Sequence, residues 1–290
     1  MPASEAALVI RPACLRDVEA IFRIHRRSLE GLDEEDFGWF KAMLSVRSRR
    51  RKVLVAEVGG EVAGFVIAYK RRSQAYVDSL AVDPAFRDKG IGGRLLEDLE
   101  SVLKSEGVER VALSVKEGNF RALDFYLRRG YSVLGVILIM SAEPAKLPES
   151  LPDGYALKLK RASVLGRLRS FKPTTWWSTL TEPVDRMVYK RYQGGEEVLL
   201  AYRGKRVRGL AEFTADDELL VDYMAISSYS SLEALRALLH GLRSVSVEKG
   251  SERVVIPVDA SKEVIVEELY RSGFRTHRTE YLLAKDLEED

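Results

Sequence analysis

Apolar positions along the chain alternate in some stretches and fall into helical spacing in others, and the order of these stretches repeats. Alternating runs predict strands at Leu8–Arg11 and near 53–58, 62–70 and 75–82, the last three forming a meander. Gly59-Gly60 and the "RRS" at 71–73 supply the turns between them. A helical region covers residues 15–46. From 91 to 106, Ile91, Leu95, Leu96, Leu99 and Leu103 share one face, which predicts an amphipathic helix. A strand at 109–116, a helix at 119–129 and strands near 131–140 complete the unit. The fold class read from this order is α/β, a mixed sheet flanked by helices.

The same order then recurs. "VLVAEVGGEVAGFVIAY" at 53–69 is answered by "VLLAYRGKRVRGLAEFT" at 198–214, and "YVDSLAV" at 76–82 by "LVDYMAI" at 220–226. "GVERVALSV" at 107–115 is answered by "GSERVVIPV" at 250–258, and Gly130-Tyr131 by Gly273-Phe274. The offset stays between 143 and 145 throughout, the register of a duplicated domain. Residues 143–154 carry three of the nine prolines and no apolar period, so they read as a linker between domains at 1–142 and 155–290.

Composition narrows the function classes. Hydrophobic residues make up 46% and charged residues 31%, and the net charge of +2 gives no support to a nucleic-acid binder held by bulk electrostatics. The basic run "RSRRRK" at 47–52 reads as a solvated loop ahead of a strand, with docking of an acidic partner or a phosphate as the other reading. Cys14 is the only cysteine, so no internal disulfide forms and a cytoplasmic setting is expected. The N-terminus lacks a signal-peptide pattern, and "VLGVILIM" at 133–140 is too short to span a membrane. His25, His240 and His277 are scattered, and no metal site is expected.

The chemistry concentrates in "LAVDPAFRDKGIGG" at 80–93, a strand, a turn at Asp83-Pro84 and a glycine-rich loop that opens a helix. The first N–H groups of a helix have no internal partner and carry partial positive charge. Gly90, Gly92 and Gly93 let those amides close around an anion, and Arg87, Lys89 and Arg94 add cationic charge. Neither G-x-G-x-x-G nor G-x-x-x-x-G-K-[ST] is present. The loop by itself leaves the ligand open.

Arg87-x-x-Gly90-x-Gly92 resembles the [Q/R]-x-x-G-x-[G/A] signature of the GNAT superfamily of acetyl-CoA-dependent N-acetyltransferases. "NFRALDFYLRRGY" at 119–131 is similar to that family's N-x-x-A-[IL]-x-[LF]-Y-x-x-x-G-[FY] element, through Asn119, Ala122, Leu123, Phe125, Tyr126, Gly130 and Tyr131. The resemblance covers residues 5–142, and its wording is nearest to the N-terminal acetyltransferases of the ribosomal-protein alanine type. It implies tandem GNAT-like domains and transfer of an acetyl group from acetyl-CoA to a primary amine in a ternary complex.

Residue by residue, the resemblance implies that backbone groups of Leu80, Ala81 and Val82 pair with the pantetheine arm, with an amide near Leu80, at a bulge, facing the thioester oxygen. It implies that the amides of Asp88, Lys89, Gly90, Ile91, Gly92 and Gly93 cradle the pyrophosphate, helped by Arg87. Asn119 then bonds the cofactor arm and Tyr126 protonates the departing thiolate, although Tyr126 also fits a plain core position.

The match is incomplete at the general base. Ser114 stands where the alanine-type enzymes carry a glutamate, and the nearest substitute is Asp78, two residues before Leu80 and on the same face by period-two counting. Asp78 recurs as Asp222 in the second copy, which a structural role also explains. Glu30, Glu34 and Glu35 lie in a loop where they meet a substrate amine or only solvent; Trp39 and Phe40 read as core.

The second copy has "SYSSLEAL" at 228–235 in place of the glycine loop and Lys262 in place of Asn119, and its Tyr270 is one residue out of register, so Leu269 takes the equivalent place. Pro257 suits a point where strands splay. A GNAT-like fold without acetyl-CoA is expected there, shaping the substrate cleft, stiffening the protein or forming a homodimer contact, with Trp176 and Trp177 as core. The alternatives to a transferase are a non-catalytic acyl-CoA-binding module and a nucleotide binder unrelated to CoA. The acceptor amine stays open among a protein N-terminus, a lysine and a small molecule.

Overall fold

The computed structural model describes residues 7–168, 171–189, 191 and 197–287. The first repeat runs β1 (Leu8–Pro12), α1 (Val18–Arg26), α2 (Phe37–Ser45), β2 (Arg51–Val58), β3 (Glu61–Arg71), β4 (Gln74–Val82), α3 (Ile91–Ser105), β5 (Arg110–Lys116), α4 (Phe120–Leu127) and β6 (Ser132–Ala142). The second runs β7 (Tyr155–Arg161), β8 (Lys172–Pro173), α5 (Ser178–Val188), β9 (Glu197–Arg203), β10 (Arg206–Ala215), β11 (Glu218–Ile226), α6 (Glu233–Lys249), β12 (Arg253–Asp259), α7 (Glu263–Arg271) and β13 (Arg275–Asp286). Among the described residues no helix is long and apolar enough to cross a membrane.

The chain divides into two compact units that are not contiguous in sequence. Of the described residues, 7–134, 180–191 and 282–287 form the first, and 135–179 and 197–281 the second. Most of α5 therefore packs in the first unit although it comes from the second repeat. There Trp39 of α2 meets Tyr189 with ring centroids 5.3 Å apart, and Arg191 donates to the Ser45 carbonyl. Phe40 is buried as expected, while Trp39 is half-buried. The end of β13 also belongs to the first unit, where the Leu287 amide donates to the Glu109 carbonyl at 2.7 Å. The body of β6 pairs instead with β12 in the second unit, in register from Ile137–Asp259 to Ala142–Val254.

In the first unit the strand order is β1-β2-β3-β4-β5. Gly59 and Gly60, both at positive φ, make the two-residue turn between β2 and β3, and Arg72 at φ 56° turns β3 into β4. The face predicted for α3 is the buried one: Ile91, Leu95, Leu96, Leu99 and Leu103 are at most 3% exposed. Each such side chain contributes roughly 1.5–3 kcal/mol by leaving water. Gly64 lets α3 sit close to β3, since a methyl group there would stand 3.1 Å from Leu95 Cδ1 and 2.9 Å from the Ala81 carbonyl oxygen. Gly209 repeats the arrangement in the second unit, 3.0 Å from Leu238 Cδ1.

Two segments make packing contacts that the apolar pattern does not reveal. The proline-rich segment 143–154 is docked on α6: Arg243 donates to the carbonyls of Ala145 and Leu147 at 2.8 and 2.9 Å, His240 Nδ1 bonds the Pro148 carbonyl, and Leu147 is buried. Within the basic run, Arg51 is not a solvated loop residue. It lies half-buried on β2, donating to the carbonyls of Met43 and Val46, and burial lowers its pKa.

Candidate active site

Strands β4 and β5 run parallel in register only from Gln74–Arg110 to Val77–Leu113, and then part. The parting begins at a bulge. On the β3 side Val77 faces Ala68 and Ser79 faces Ile67, which leaves Asp78 as the inserted residue. The bulge expected near Leu80 thus lies two residues earlier. Leu80, Ala81 and Val82 stay paired with Val66, Phe65 and Gly64 on one side, while their other edge lies beyond the β5 register.

The inserted residue also breaks the period-two count that set Asp78 on the face of Leu80. Leu80 and Val82 lie against the start of α3, where a methyl group on Gly92 would stand 3.7 Å from Leu80 Cδ2, 3.5 Å from Val82 Cγ2 and 3.7 Å from Phe125 Cε2. Asp78 instead answers electrostatically to Asp33, Tyr69 and Asp185.

After β4 the chain is held by Asp83, whose Oδ1 accepts from the Ala85 amide and whose Oδ2 pairs with Arg27 at 3.0 Å. Asp88 and Gly90 then take positive φ, 62° and 76°, on either side of Lys89. For Asp88 this is an uncommon backbone state that favours an anion-binding curl of amides. Gly90 caps α3, so the amides of Ile91, Gly92 and Gly93 have no carbonyl one turn back within the helix. Gly93 is buried under Arg129, whose guanidinium also stacks over Phe125 at 3.9 Å.

The loop's cationic side chains are less available than its amides. Arg87 donates to the Val82 carbonyl at 3.2 Å and pairs with Glu30 at 2.9 Å. One of the three carbonyls expected to meet the cofactor arm is thereby engaged, and so is one of the three candidate glutamates. Lys89 lies over the Phe86 ring, Asp88 pairs with Arg121, and Glu34 pairs with Arg26. Beside the β5 end, Lys116 pairs with Asp33 at 3.0 Å and donates to the Leu32 carbonyl. The loop after α1 thus reaches both the β4 end, through Glu30, and the β5 end, through Asp33.

Asn119 is the N-cap of α4: its Oδ1 accepts from the Ala122 amide at 3.1 Å, which leaves Nδ2 as its remaining polar group. Tyr126 is 8% exposed, with its ring edge-on to Phe125 and Tyr131. Burial raises its pKa well above the ordinary phenol value, opposed by the charge of Arg129. Ser114, at the glutamate position, is half-buried on β5.

Asp78 is exposed on β4, and partial desolvation by the surrounding protein pushes its carboxyl up to about 6, against a hydrogen bond from the Ser79 hydroxyl and with help from the charge of Asp33. Asp185, on α5, is raised well above the carboxylate range by burial first, opposed by a hydrogen bond with Thr181 and reinforced by the charges of Asp78 and Glu182. Sequence reasoning passed over Asp185, because "TEPVDRM" carries no motif.

The second unit has the same bulge, with Asp222 inserted between Val221 and Tyr223 opposite Phe213 and Glu212. Its parallel register also stops early, at Leu220–Val255, so Pro257 sits past the point where the strands part, as expected. The opened edge is occupied there. β8 pairs with Ala225 and Ile226, the Thr174 amide donates to the Met224 carbonyl at 2.9 Å, and the Asp259 amide donates to the Thr174 carbonyl at 3.1 Å. Trp176 and Trp177 follow this segment, half-buried and edge-on to one another.

Residues 18–131 match the model of the acetyltransferase (GNAT) family. An uncharacterized N-acetyltransferase of Chlorobaculum tepidum is 35% identical over 127 residues, 43% of this chain and 78% of that protein. Among solved structures, a tandem GNAT protein from the clavulanic acid biosynthesis pathway superposes with a TM-score of 0.68 at 14% identity, over 98% of this chain and 100% of the other. A GCN5-related N-acetyltransferase from Sphaerobacter thermophilus gives 0.62 at 17% identity, over 97% and 96%. These two likenesses show the fold, a tandem one. The chain belongs to the GNAT acetyltransferase family. It is an acyl-CoA N-acetyltransferase, of a family whose acyl donor is acetyl-CoA.

Proposed function

We propose that the first unit carries an acetyl group directly from acetyl-CoA to a primary amine, with both held at once. The observation behind this reading is the parting of β4 from β5 at Asp78, which opens the Leu80–Val82 edge next to the glycine-lined start of α3. An extended amide-bearing arm fits such an edge as an added strand, and the amides of residues 88–93 fit a diphosphate. The residues fit the donor: amides rather than cationic side chains offer the anion site, and the Asn119 Nδ2 group offers one donor to the arm.

Acetyl-CoA, when bound, supplies an activated acyl carbon and a thiolate leaving group. Asp78 takes the proton that the acceptor ammonium must lose, directly or through water. As the N–C bond forms and the C–S bond breaks, Tyr126 gives its phenolic proton to sulfur and regains one from solvent. Its buried phenol is fully protonated at neutral pH, as this role requires. The second unit offers no such edge, and we assign it no acetyl-CoA.

The test is an acetyl-transfer screen that detects freed thiol over N-terminal peptides, lysine peptides and small amines, run with the native chain and Tyr126→Phe. Thiol release with at least one amine, cut about a hundredfold in Tyr126→Phe while acetyl-CoA still binds, supports the reading. Tight acetyl-CoA binding with no release for any amine would overturn it in favour of a binding module.

A further inference from the structure

The net charge of +2 is not evenly shared along the chain. Residues 47–52 and 70–72 hold eight cationic side chains and no acidic one. The two segments lie side by side: the Lys70 amide donates to the Arg50 carbonyl at 2.6 Å, and Arg51 and Lys52 pair across the sheet with Tyr69 and Ala68. They form the end of the β2–β4 meander remote from the Leu80–Val82 edge, about 20 Å away along β4.

Nearby carboxylates do not cancel this charge. Glu106 takes Lys52 and Lys70, while Glu182, which also feels the charges of Arg71 and Arg50, is paired with Arg186. Arg51 spends its terminal nitrogens on the Met43 and Val46 carbonyls. Arg47, Arg49, Arg50 and Arg72 are exposed and make no ion pair among the described residues.

Nothing in the fold asks for these cations. In the second repeat the corresponding turn carries Asp216 and Asp217 at the places of Arg71 and Arg72, and Glu197 stands at the place of Lys52. Arg72 moreover sits at φ 56°, a backbone state that costs an L side chain and suits glycine. The patch also lacks the apolar anchors of a protein–protein interface: among the described residues the exposed large apolar side chains lie elsewhere, and Tyr69 and Tyr76 are buried. With those rings buried, no platform is offered for stacking unpaired bases. What remains is a set of guanidinium groups, each able to hold phosphate oxygens two at a time.

We infer that the surface formed by Arg47, Arg49, Arg50 and Arg72 binds the phosphate backbone of a nucleic-acid duplex, without reading its sequence. This goes beyond the transferase reading and does not rest on it. A small total charge is no obstacle, because at about 0.1 M salt only charges within about 10 Å of a phosphate act on it, and those here are of one sign.

The experiment follows the fluorescence anisotropy of a labelled RNA duplex, and of a DNA duplex of the same sequence, with the native chain and with the triple variant Arg49→Ser, Arg50→Ser, Arg72→Gly. Coenzyme A is present at saturation in one arm and absent in the other, and thermal melts check folding. Native binding is expected to weaken on the order of a hundredfold between about 50 and 200 mM salt, the counter-ion release of about four phosphate contacts, and to be similar for the two duplexes. The triple variant is expected to bind at least about tenfold more weakly, with a salt slope reduced by about three. Should the triple variant melt low, Arg72→Gly alone reads the same effect as a slope reduced by about one. No binding at the lower salt, or binding untouched in the triple variant, overturns the inference. So does displacement of the duplex by coenzyme A, which places it on the loop before α3. Equal affinity for a polyglutamate peptide overturns the nucleic-acid assignment in favour of an acidic protein. None of these outcomes touches the acetyl-transfer reading, which the thiol-release screen tests separately.

Discussion

The Thr174 amide donates to the Met224 carbonyl at 2.9 Å, and Met224 occupies in the second repeat the place of Leu80 in the first. The chain's own residues 172–174 therefore lie along the second unit's counterpart of the strand edge at Leu80–Val82. With Asp259 bonded to the far side of Thr174, this segment bridges the parted strands β11 and β12. The expected stoichiometry is one acetyl-CoA per chain, measured by titration calorimetry. Two equivalents at similar affinity would count against the reading of the second unit.

Asp78 and Asp222 are the inserted residues of equivalent bulges, so they share any structural task, and only Asp78 lies at the proposed reacting centre. Because Asp78 loses its proton at about 6, its base form is present above that pH. Acetyl transfer is expected to rise as pH climbs through about 6. Asp78→Asn should remove that rise and lower kcat about a hundredfold, while Asp222→Asn leaves the pH–rate profile alone. The profile of kcat/KM against pH for the three proteins decides it.

Gly90 and Gly250 offer a matched pair, with φ of 76° and 78° and open space at both. Alanine at either position costs about 1 kcal/mol through the left-handed backbone. The melting temperature should fall similarly in Gly90→Ala and Gly250→Ala. Only Gly90→Ala is expected to raise KM for acetyl-CoA, by roughly tenfold if a single amide contact to an anion is lost.

Away from the site, Arg11 clamps buried Asp17 with two bonds of 2.8 Å, and the Cys14 amide adds a third. The Arg11 bond is the main cause that holds the Asp17 carboxyl down to about 2. A carboxyl depressed on folding adds stability that is present above pH 4 and is lost as pH falls through 2. From a shift of that size, Asp17→Asn should cost about 2 kcal/mol at neutral pH. It should also flatten the decline between pH 4 and pH 2 in urea melts run at a series of pH values.

Much of the fold was legible because its cause is local. The buried stripe of α3, the Gly59-Gly60 turn and the offset between repeats all depend on residue spacing alone. The bulge was displaced by two residues because one inserted residue leaves no trace in a pattern already broken by Asp78 and Ser79. Residues 172–174 and Asp185 escaped notice for a different reason. A two-residue strand has no period to detect, and a carboxylate on an ordinary amphipathic helix acquires meaning only from what long-range packing places opposite it. Asn119 was singled out by motif, but its N-cap bond follows from its position one residue ahead of α4.

Residues 180–189, 191 and 282–287, late in the sequence, are built into the half that begins it. A gene cut at the proline-rich segment would hence yield two incomplete fragments, neither carrying the full set of parts for its own core. Once such an arrangement is fixed, neither copy can be shed without taking part of the other's packing with it, and a mutation in one is judged partly by what it does to the other.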